Sequence, residues 1–358
     1  EELRPQNITV DVVAVRTIKN KYSKIWTQDY GEDPEYIARY IYKLTQKPEN
    51  KRHFIPRHYF FLRVVERLFP RVLDHIHGLR HRRVRRKFHK NVQSDSVLIT
   101  GAASGLGKAL AHSYSNTAKV LHLCDIDQKG LVELRDEISK NNGCVVNIAK
   151  VDILNRQDVV NYTNSIEYVD VLINNAGVRC KGPILDTKVE TFRKIFDVNF
   201  FGPLLFNTQF FNKKKRPKKI INILSTTAIR GRKEMGVYSS SKAALWNFTR
   251  SLRRVYGENC QVMEVIPSAM SMTKLLENSL LTGNKENIQN NNLRKSPSFL
   301  SRLNFLRVSD WSAFDAAKKI QKCESQGMEI VFIPPMRSKL FLTLETTSNW
   351  LFSKLFMA

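Results

Sequence analysis

Residues 95–111 read DSVLITGAASGLGKALA, and this stretch decides the fold. Val97, Leu98 and Ile99 are apolar and partly β-branched, as a strand buried on both faces of a parallel sheet requires. Gly101, Gly105 and Gly107 follow, and then a helix start. Glycines permit a tight turn and let backbone N–H groups and a helix N-terminus approach a pyrophosphate. Their spacing is Gly-x-x-x-Gly-x-Gly rather than the commoner Gly-x-Gly-x-x-Gly. A second apolar run, VLHLC, ends in Asp125, 18 residues after Gly107. A carboxylate there accepts both ribose hydroxyls of NAD and repels the 2′-phosphate of NADP. The plainer alternative is a strand–turn–helix whose glycines serve only the turn, and the acid at this distance argues against it.

Further along the chain come NILSTTA (222–228) and YSSSK (238–242). If the second opens a helix, Tyr238 and Lys242 share one face, four residues apart. A cation beside a phenol stabilises the phenolate and lowers its pKa from about 10 toward working pH. Such a Tyr can act as a general acid or base, and a hydroxyl such as Ser225 can hydrogen-bond a substrate oxygen beside it. Tyr-x-x-x-Lys alone is common in helices and acquires meaning only from a cofactor loop upstream. Strands are expected near 96–100, 119–124, 145–150, 169–174, 219–225, 261–266 and 328–333, with helices between. That alternation gives an α/β, doubly wound parallel sheet, Rossmann-like, with three αβα layers.

These motifs together resemble the short-chain dehydrogenase/reductase family from about residue 94 to the C-terminus. Residues 100–107 look like its Thr-Gly-x-x-x-Gly-x-Gly loop, which implies cofactor contacts from Gly101, Ser104, Gly105, Leu106 and Gly107. Asp152, in VDI, matches the position where an Asp meets the adenine. NNAG (174–177) is similar to the motif that stabilises the sheet and lines the cofactor, which implies roles for Asn175, Ala176 and Gly177. Asn199, in FDVNFFG, falls where the family has the helix Asn that supports a proton-relay water, and with Ser225, Tyr238 and Lys242 completes a catalytic tetrad. The sequence departs from the family after Pro267, where Ser268 replaces the usual Gly; Thr273 still stands where a Thr would reach the nicotinamide carboxamide.

The chain has 358 residues, and one such domain needs about 250, so roughly ninety are extra and lie at the N-terminus. Five scattered cysteines without Cys-x-x-Cys or His clusters read as buried, reduced thiols and imply no metal. No run of 18 uncharged apolar residues is present, and the start carries no signal-peptide pattern. Beginning with Glu1, the chain reads as a fragment or a trimmed form. A cytoplasmic location follows, with peripheral attachment to endoplasmic reticulum or lipid-droplet membrane as the variant. The net charge of +25 is concentrated in GLRHRRVRRKFHK (78–90) and KKKRPKK (213–219). Both read as solvated loop or linker, with membrane-surface attraction next; no recognition motif supports specific nucleic-acid binding.

Internal comparison explains the extra residues. PQNITVDVVAVRTIKNK (5–21) resembles ENCQVMEVIPSAMSMTK (258–274), YIARYIYKL (36–44) parallels FDAAKKIQKC (314–323), and each copy then reaches Phe-Ile-Pro, at 54–56 and at 332–334. Residues 1–77 therefore read as the C-terminal portion of a first dehydrogenase copy, 78–93 as a basic linker and 94–358 as a complete domain. An unrelated extension is the alternative. Both tails, 58–76 and 338–356, are amphipathic and aromatic, suited to a membrane interface, a lipophilic entrance or a dimer contact. The Asn-rich stretch 282–298 reads as a mobile loop where the family carries its substrate lid.

The resulting expectation is an NAD-dependent oxidoreductase, with NADP less favoured. It would interconvert alcohol and carbonyl on a lipophilic molecule such as a retinoid, steroid or long-chain lipid, in a homo-dimer or homo-tetramer. The rivals are a nucleotide-binding regulatory or scaffold protein that has lost catalysis, and a membrane- or RNA-associating protein that uses its basic stretches.

Overall fold

The structure, a computed structural model, describes residues 12–15, 38, 39, 42, 52–55, 94–140, 143–229, 231, 232, 234–267, 280, 281 and 312–333. The chain divides into two units, Glu1–Val84 with Thr343–Asn349, and Arg85–Leu342 with Trp350–Ala358. In the first, β1 (Val12–Val15) pairs in parallel with β2 (Arg52–Ile55), Val15 opposite Ile55. Ala38, Arg39 and Tyr42, between them in sequence, are helical and exposed.

The second unit begins its sheet with β3 (Ser96–Thr100), followed by α1 (Gly105–Ser115). Then come β4 (Val120–Asp125), α2 (Gln128–Ser139), β5 (Val145–Lys150), α3 (Arg156–Asn164) and β6 (Val171–Asn174). A short strand β7 (Cys180–Lys181) precedes α4 (Val189–Phe196), a π-helical turn (Asp197–Phe201) and α5 (Gly202–Phe211). β8 (Lys219–Ile223) leads through a 3₁₀ turn (Thr226–Ala228) to the long α6 (Gly236–Tyr256) and β9 (Gln261–Pro267). β10 (Leu280–Leu281), α7 (Ala313–Ser325) and β11 (Ile330–Ile333) complete the described elements.

The seven-stranded sheet is parallel, in the order β11-β9-β8-β6-β3-β4-β5, and β7 pairs separately with β10. Order reverses between β3 and β6, and in such sheets that switch point opens a crevice at the C-terminal ends of the strands. The expected architecture is present, with strand ends within two residues of those read from sequence. Central strands β3, β6 and β8 are fully buried because helices cover both faces, which is why their sequences are apolar runs rather than alternations. One core layer joins Ile99, Leu110, Leu121 and Leu134 with Ala316 and Ile320 of α7; the other joins Leu98, Leu172, Phe206, Phe210 and Val262.

The basic stretch at 213–219 is largely exposed, as the solvated loop expected of it would be, and in addition carries ordered partners. Lys215 Nζ stands 3.1 Å from the Tyr168 ring centroid, and Lys213 and Arg216 lie over Phe210 and Phe211. Lys218 pairs with the buried Asp170 at 2.8 Å, and Lys219 pairs with the buried Glu324. The ordered aromatic and acidic partners pin these cations, as cation–π contacts and buried pairs do. The other basic stretch, 78–90, both aromatic tails and loop 282–298 lie outside the described residues.

Candidate active site

The loop after β3 is built for close approach. Gly101 has φ +66°, and a Cβ there would stand 2.8 Å from the Ala176 Cα. A Cβ at Gly107 would collide with the Gly101 carbonyl oxygen. α1 starts at Gly105 behind Ser104, whose side chain makes no cap hydrogen bond, so no side chain of the cap residue covers the helix N-terminus. Asp125 closes the loop from β4: Oδ2 accepts from Ala103 N and Oδ1 from Asp127 N, both at 3.0 Å. Each oxygen keeps a lone pair for a ligand hydroxyl. Asp152, after β5, accepts from Leu154 N at 2.9 Å. Asn175 ties the ends of β3 and β6 together, donating from Nδ2 to the Thr100 and Gly101 carbonyls at 3.0 Å each. Thr100 Oγ1 accepts from Asn175 N and Ala176 N at 3.1 Å.

At the other end of the crevice, Ser225 follows β8 and caps the 3₁₀ turn, accepting from Thr227 N at 3.2 Å and Thr227 Oγ1 at 3.0 Å. Tyr238 and Lys242 sit on the first turns of α6, both buried, four residues apart on one face. Ser225 stands near enough to Tyr238 to favour its phenolate. Lys242 Nζ donates to the Ile223 carbonyl at 2.9 Å, its one hydrogen bond among the described residues. Asn199 occupies the middle of the π-helical turn, a geometry frequent at functional sites. Its Oδ1 accepts from Val178 N at 2.8 Å; its Nδ2 donates to the Val178 carbonyl at 2.9 Å and to Ser241 Oγ at 3.0 Å. Ser241 donates in turn to the Tyr238 carbonyl at 2.8 Å. Asn199 thus binds the loop after β6 to the helix that carries the Tyr.

A crevice of about 580 Å³ joins the two ends. Gly101, Ser104, Gly105, Leu106, Asp125, Asp152 and the Asn175–Gly177 loop line one part; Ser225, Tyr238, Lys242 and Pro267 line the other. Asn199 and Gly107 stand behind this wall, and Thr273 lies outside the described residues. Burial dominates the site's electrostatics. It raises the Tyr238 pKa, opposed by the Ser225 hydroxyl and by the Arg179 guanidinium. It pushes Lys242 down to about 8. The sequence reading gave Lys242 the task of lowering the Tyr238 pKa. Ser225 and Arg179 are the groups that favour the phenolate, and burial outweighs both.

Three contributors escaped sequence reasoning. Ser241 is one and Arg179 another; Arg179 could have been found as a cation two residues beyond NNAG. The third is a buried polar network beneath the site. Asn174 Nδ2 donates to Asn222 Oδ1 at 2.8 Å and to Asn207 Oδ1 at 3.3 Å, and Asn222 Nδ2 donates to Thr249 Oγ1 at 2.9 Å. It locks β6, β8, α5 and α6 in register.

Fold and crevice define a doubly wound dinucleotide-binding domain with a Tyr–Lys pair at the switch point. Residues 95–282 match the short chain dehydrogenase family, and the chain belongs to it. A diacetyl reductase [(S)-acetoin forming] of Staphylococcus epidermidis is 34% identical over 166 residues, covering 44% of this chain and 64% of that protein, under two thirds of its length. Dehydrogenase/reductase SDR family member 7B of Danio rerio is 32% identical over 192 residues, 48% of this chain and 58% of the relative. Among solved structures, 3-ketoacyl-(acyl-carrier-protein) reductase from Brucella melitensis complexed with NADH superimposes with TM-score 0.57 at 22% identity, over 69% of this chain and all of that one. A short chain dehydrogenase/reductase from Burkholderia phymatum in complex with NAD gives 0.55 at 22%, over 67% and 89%. At that identity the structural likeness concerns the fold. Among the described residues no His, Cys, Asp or Glu group is arranged to hold a metal, all five cysteines are buried and outside disulfides, and no helix is long and apolar enough to cross a membrane.

Proposed function

We propose that this chain is an NAD-dependent oxidoreductase that interconverts an alcohol and a carbonyl on a lipophilic molecule such as a retinoid, steroid or long-chain lipid. The observation that carries the reading is the pairing, in one crevice, of a glycine cradle backed by Asp125 with a buried Ser225–Tyr238–Lys242 cluster. The cradle, the side-chain-free N-terminus of α1 and the lone pairs of Asp125 fit a dinucleotide with free ribose hydroxyls, and Asp125 disfavours a 2′-phosphate. Relatives of the same fold carry NAD, NADH or NADPH. A nicotinamide held there would supply the hydride acceptor for oxidation of the alcohol and the hydride donor for the reverse.

Tyr238 takes the hydroxyl proton as the carbonyl forms and gives it back in reduction. Ser225 holds the reacting oxygen beside the phenol. Lys242 binds the nicotinamide ribose, which brings a polar partner to a cation that is otherwise satisfied by one carbonyl. Asn199 and Ser241 fix the loop and helix on which these groups stand. The lipophilic character of the substrate is supported by Val178, Leu224 and Met235 lining the crevice near Tyr238. NADH formation across a panel of retinoids, steroids and long-chain alcohols, neutral and carboxylated, tests this reading; no turnover of any of them by wild-type protein that binds NAD would overturn it.

The N-terminal segment is read as the back end of a first copy. In support, β1–β2 and β9–β11 are both parallel, and in both the Ile of Phe-Ile-Pro stands opposite the last residue of the earlier strand (Val15–Ile55 and Pro267–Ile333). Residues 78–93 are then a linker. Peripheral membrane attachment through the aromatic tails and assembly into a homo-dimer or homo-tetramer complete the reading. Sedimentation with anionic liposomes and light scattering test these two points.

A further inference from the structure

We infer that the substrate carries a carboxylate, held by Arg179, so that the reactant is a hydroxy or oxo acid rather than a neutral alcohol. The inference rests on the proposed dehydrogenase reading and narrows its substrate class.

Arg179 follows the Asn175–Gly177 loop and lines the crevice at its Tyr238 end. Its Nε is buried without a hydrogen-bond partner, and its Nη2 reaches only the Met235 sulfur, at 3.7 Å. Among the described residues the half-buried guanidinium therefore has one weak acceptor, whereas an Arg lining a crevice ordinarily finds a carboxylate or several carbonyls. Carboxylates do stand in the neighbourhood, but they are committed. Glu234, adjacent to Met235, pairs with Lys181 at 3.6 Å, and Asp125 and Asp152 hold backbone N–H groups at the far end. The other charged side chain felt by Arg179 is Arg232, also on the crevice wall, so this end is doubly positive.

The guanidinium lies close enough to Tyr238 to favour its phenolate. A carboxylate on Arg179 would therefore sit within one small molecule's length of the oxygen handled by Ser225 and Tyr238. The planar fork of Arg suits a carboxylate in two parallel hydrogen bonds, and a partner of that kind removes the cost of a desolvated cation. The apolar Val178 and Met235 beside it leave room for an alkyl chain, so the two demands on the substrate, acid and lipophilic, are compatible.

Arg179 is then a specificity-determining residue. The test uses the full chain with hydroxyalkanoic acids bearing the hydroxyl at successive positions, each beside its methyl ester, for wild type, Arg179→Met and Arg179→Lys. For the best acid, wild type should favour acid over ester in kcat/KM by roughly tenfold to a hundredfold, the worth of hydrogen bonds to a charged group. Arg179→Met should bring that ratio close to one, Arg179→Lys should keep part of it, and NADH affinity should change little. Calorimetric titration of the NADH complex with hexanoate and hexanamide gives a readout free of turnover, with hexanoate the tighter ligand in wild type alone. Equal use of acid and ester by wild type, or a ratio unmoved by Arg179→Met, overturns the assignment. So does a loss confined to NADH affinity, which would give Arg179 to the cofactor phosphates. Turnover of neutral alcohols without acid preference sinks only this inference, whereas no turnover of any alcohol sinks the dehydrogenase reading itself.

Discussion

Where the strands of the sheet begin, Lys219 meets Glu324 and Lys218 meets Asp170, whose carboxylate also accepts from Asp95 N and Ser96 N at 3.0 and 3.1 Å. Where the strands end, Lys242 has a single carbonyl and Arg179 a thioether. Each edge buries a lysine, Lys219 at the first and Lys242 at the second, but only Lys219 has an acid as its partner. A buried pair is self-contained and can serve only the fold. A buried cation without an acid is a standing cost, kept because a ligand completes it. The difference locates the working edge of the molecule without reference to any motif.

The comparison breaks most visibly in stability. Lys219→Met should destabilise the protein by about 3–5 kcal/mol, because Glu324 is left buried and unpaired. Lys242→Met should act in the opposite direction. Burial holds the folded-state pKa of Lys242 at about 8, below its unfolded value, so the folded state gives up a proton that the unfolded state keeps. The resulting penalty, about 3 kcal/mol for a shift of this size, is fully present below pH 8 and fades as pH rises toward 10.5. Urea denaturation of both variants at neutral and alkaline pH checks the sign, and destabilisation by Lys242→Met would remove the distinction between the edges.

Smaller effects sharpen the account of the working edge. Asp125→Asn should move the ratio of NAD to NADP affinity by about 1–2 kcal/mol toward NADP, because the repulsive charge is gone. Competition binding measures it, and an unchanged ratio would detach Asp125 from cofactor choice. Ser225 favours the phenolate of Tyr238, so Ser225→Ala should shift the alkaline limb of the alcohol-oxidation profile upward, by on the order of one pH unit or less. Oxidation needs the ionised phenol and therefore rises with pH; a downward shift would contradict that role for Ser225.

The sheet was legible because strands buried on both faces, such as 97–99 and 171–173, must be short apolar runs, and their order follows from right-handed crossovers. The cofactor loop was legible because only glycine tolerates the backbone at Gly101 and the contact at Gly107. Asn174, Asn207, Asn222 and Thr249 were not, since they are scattered polar residues until the fold brings them together. The 213–219 run is largely exposed, as its charge suggested, but the partners of its cations were not legible because Tyr168, Asp170 and Glu324 arrive from distant sequence. Arg179 escaped because its significance lies in the partners it lacks, which no local pattern encodes.

The measurement that bears most directly on the central claim sets turnover against cofactor binding in Tyr238→Phe. That substitution removes one hydroxyl from the crevice and leaves the cradle and Asp125 intact. NADH formation should fall by at least about a hundredfold, as loss of a general acid–base group does, while NAD affinity by calorimetry stays within a few-fold of wild type. Retained turnover in a variant that binds NAD normally would contradict proton transfer by Tyr238 and, with it, the function assigned to this site.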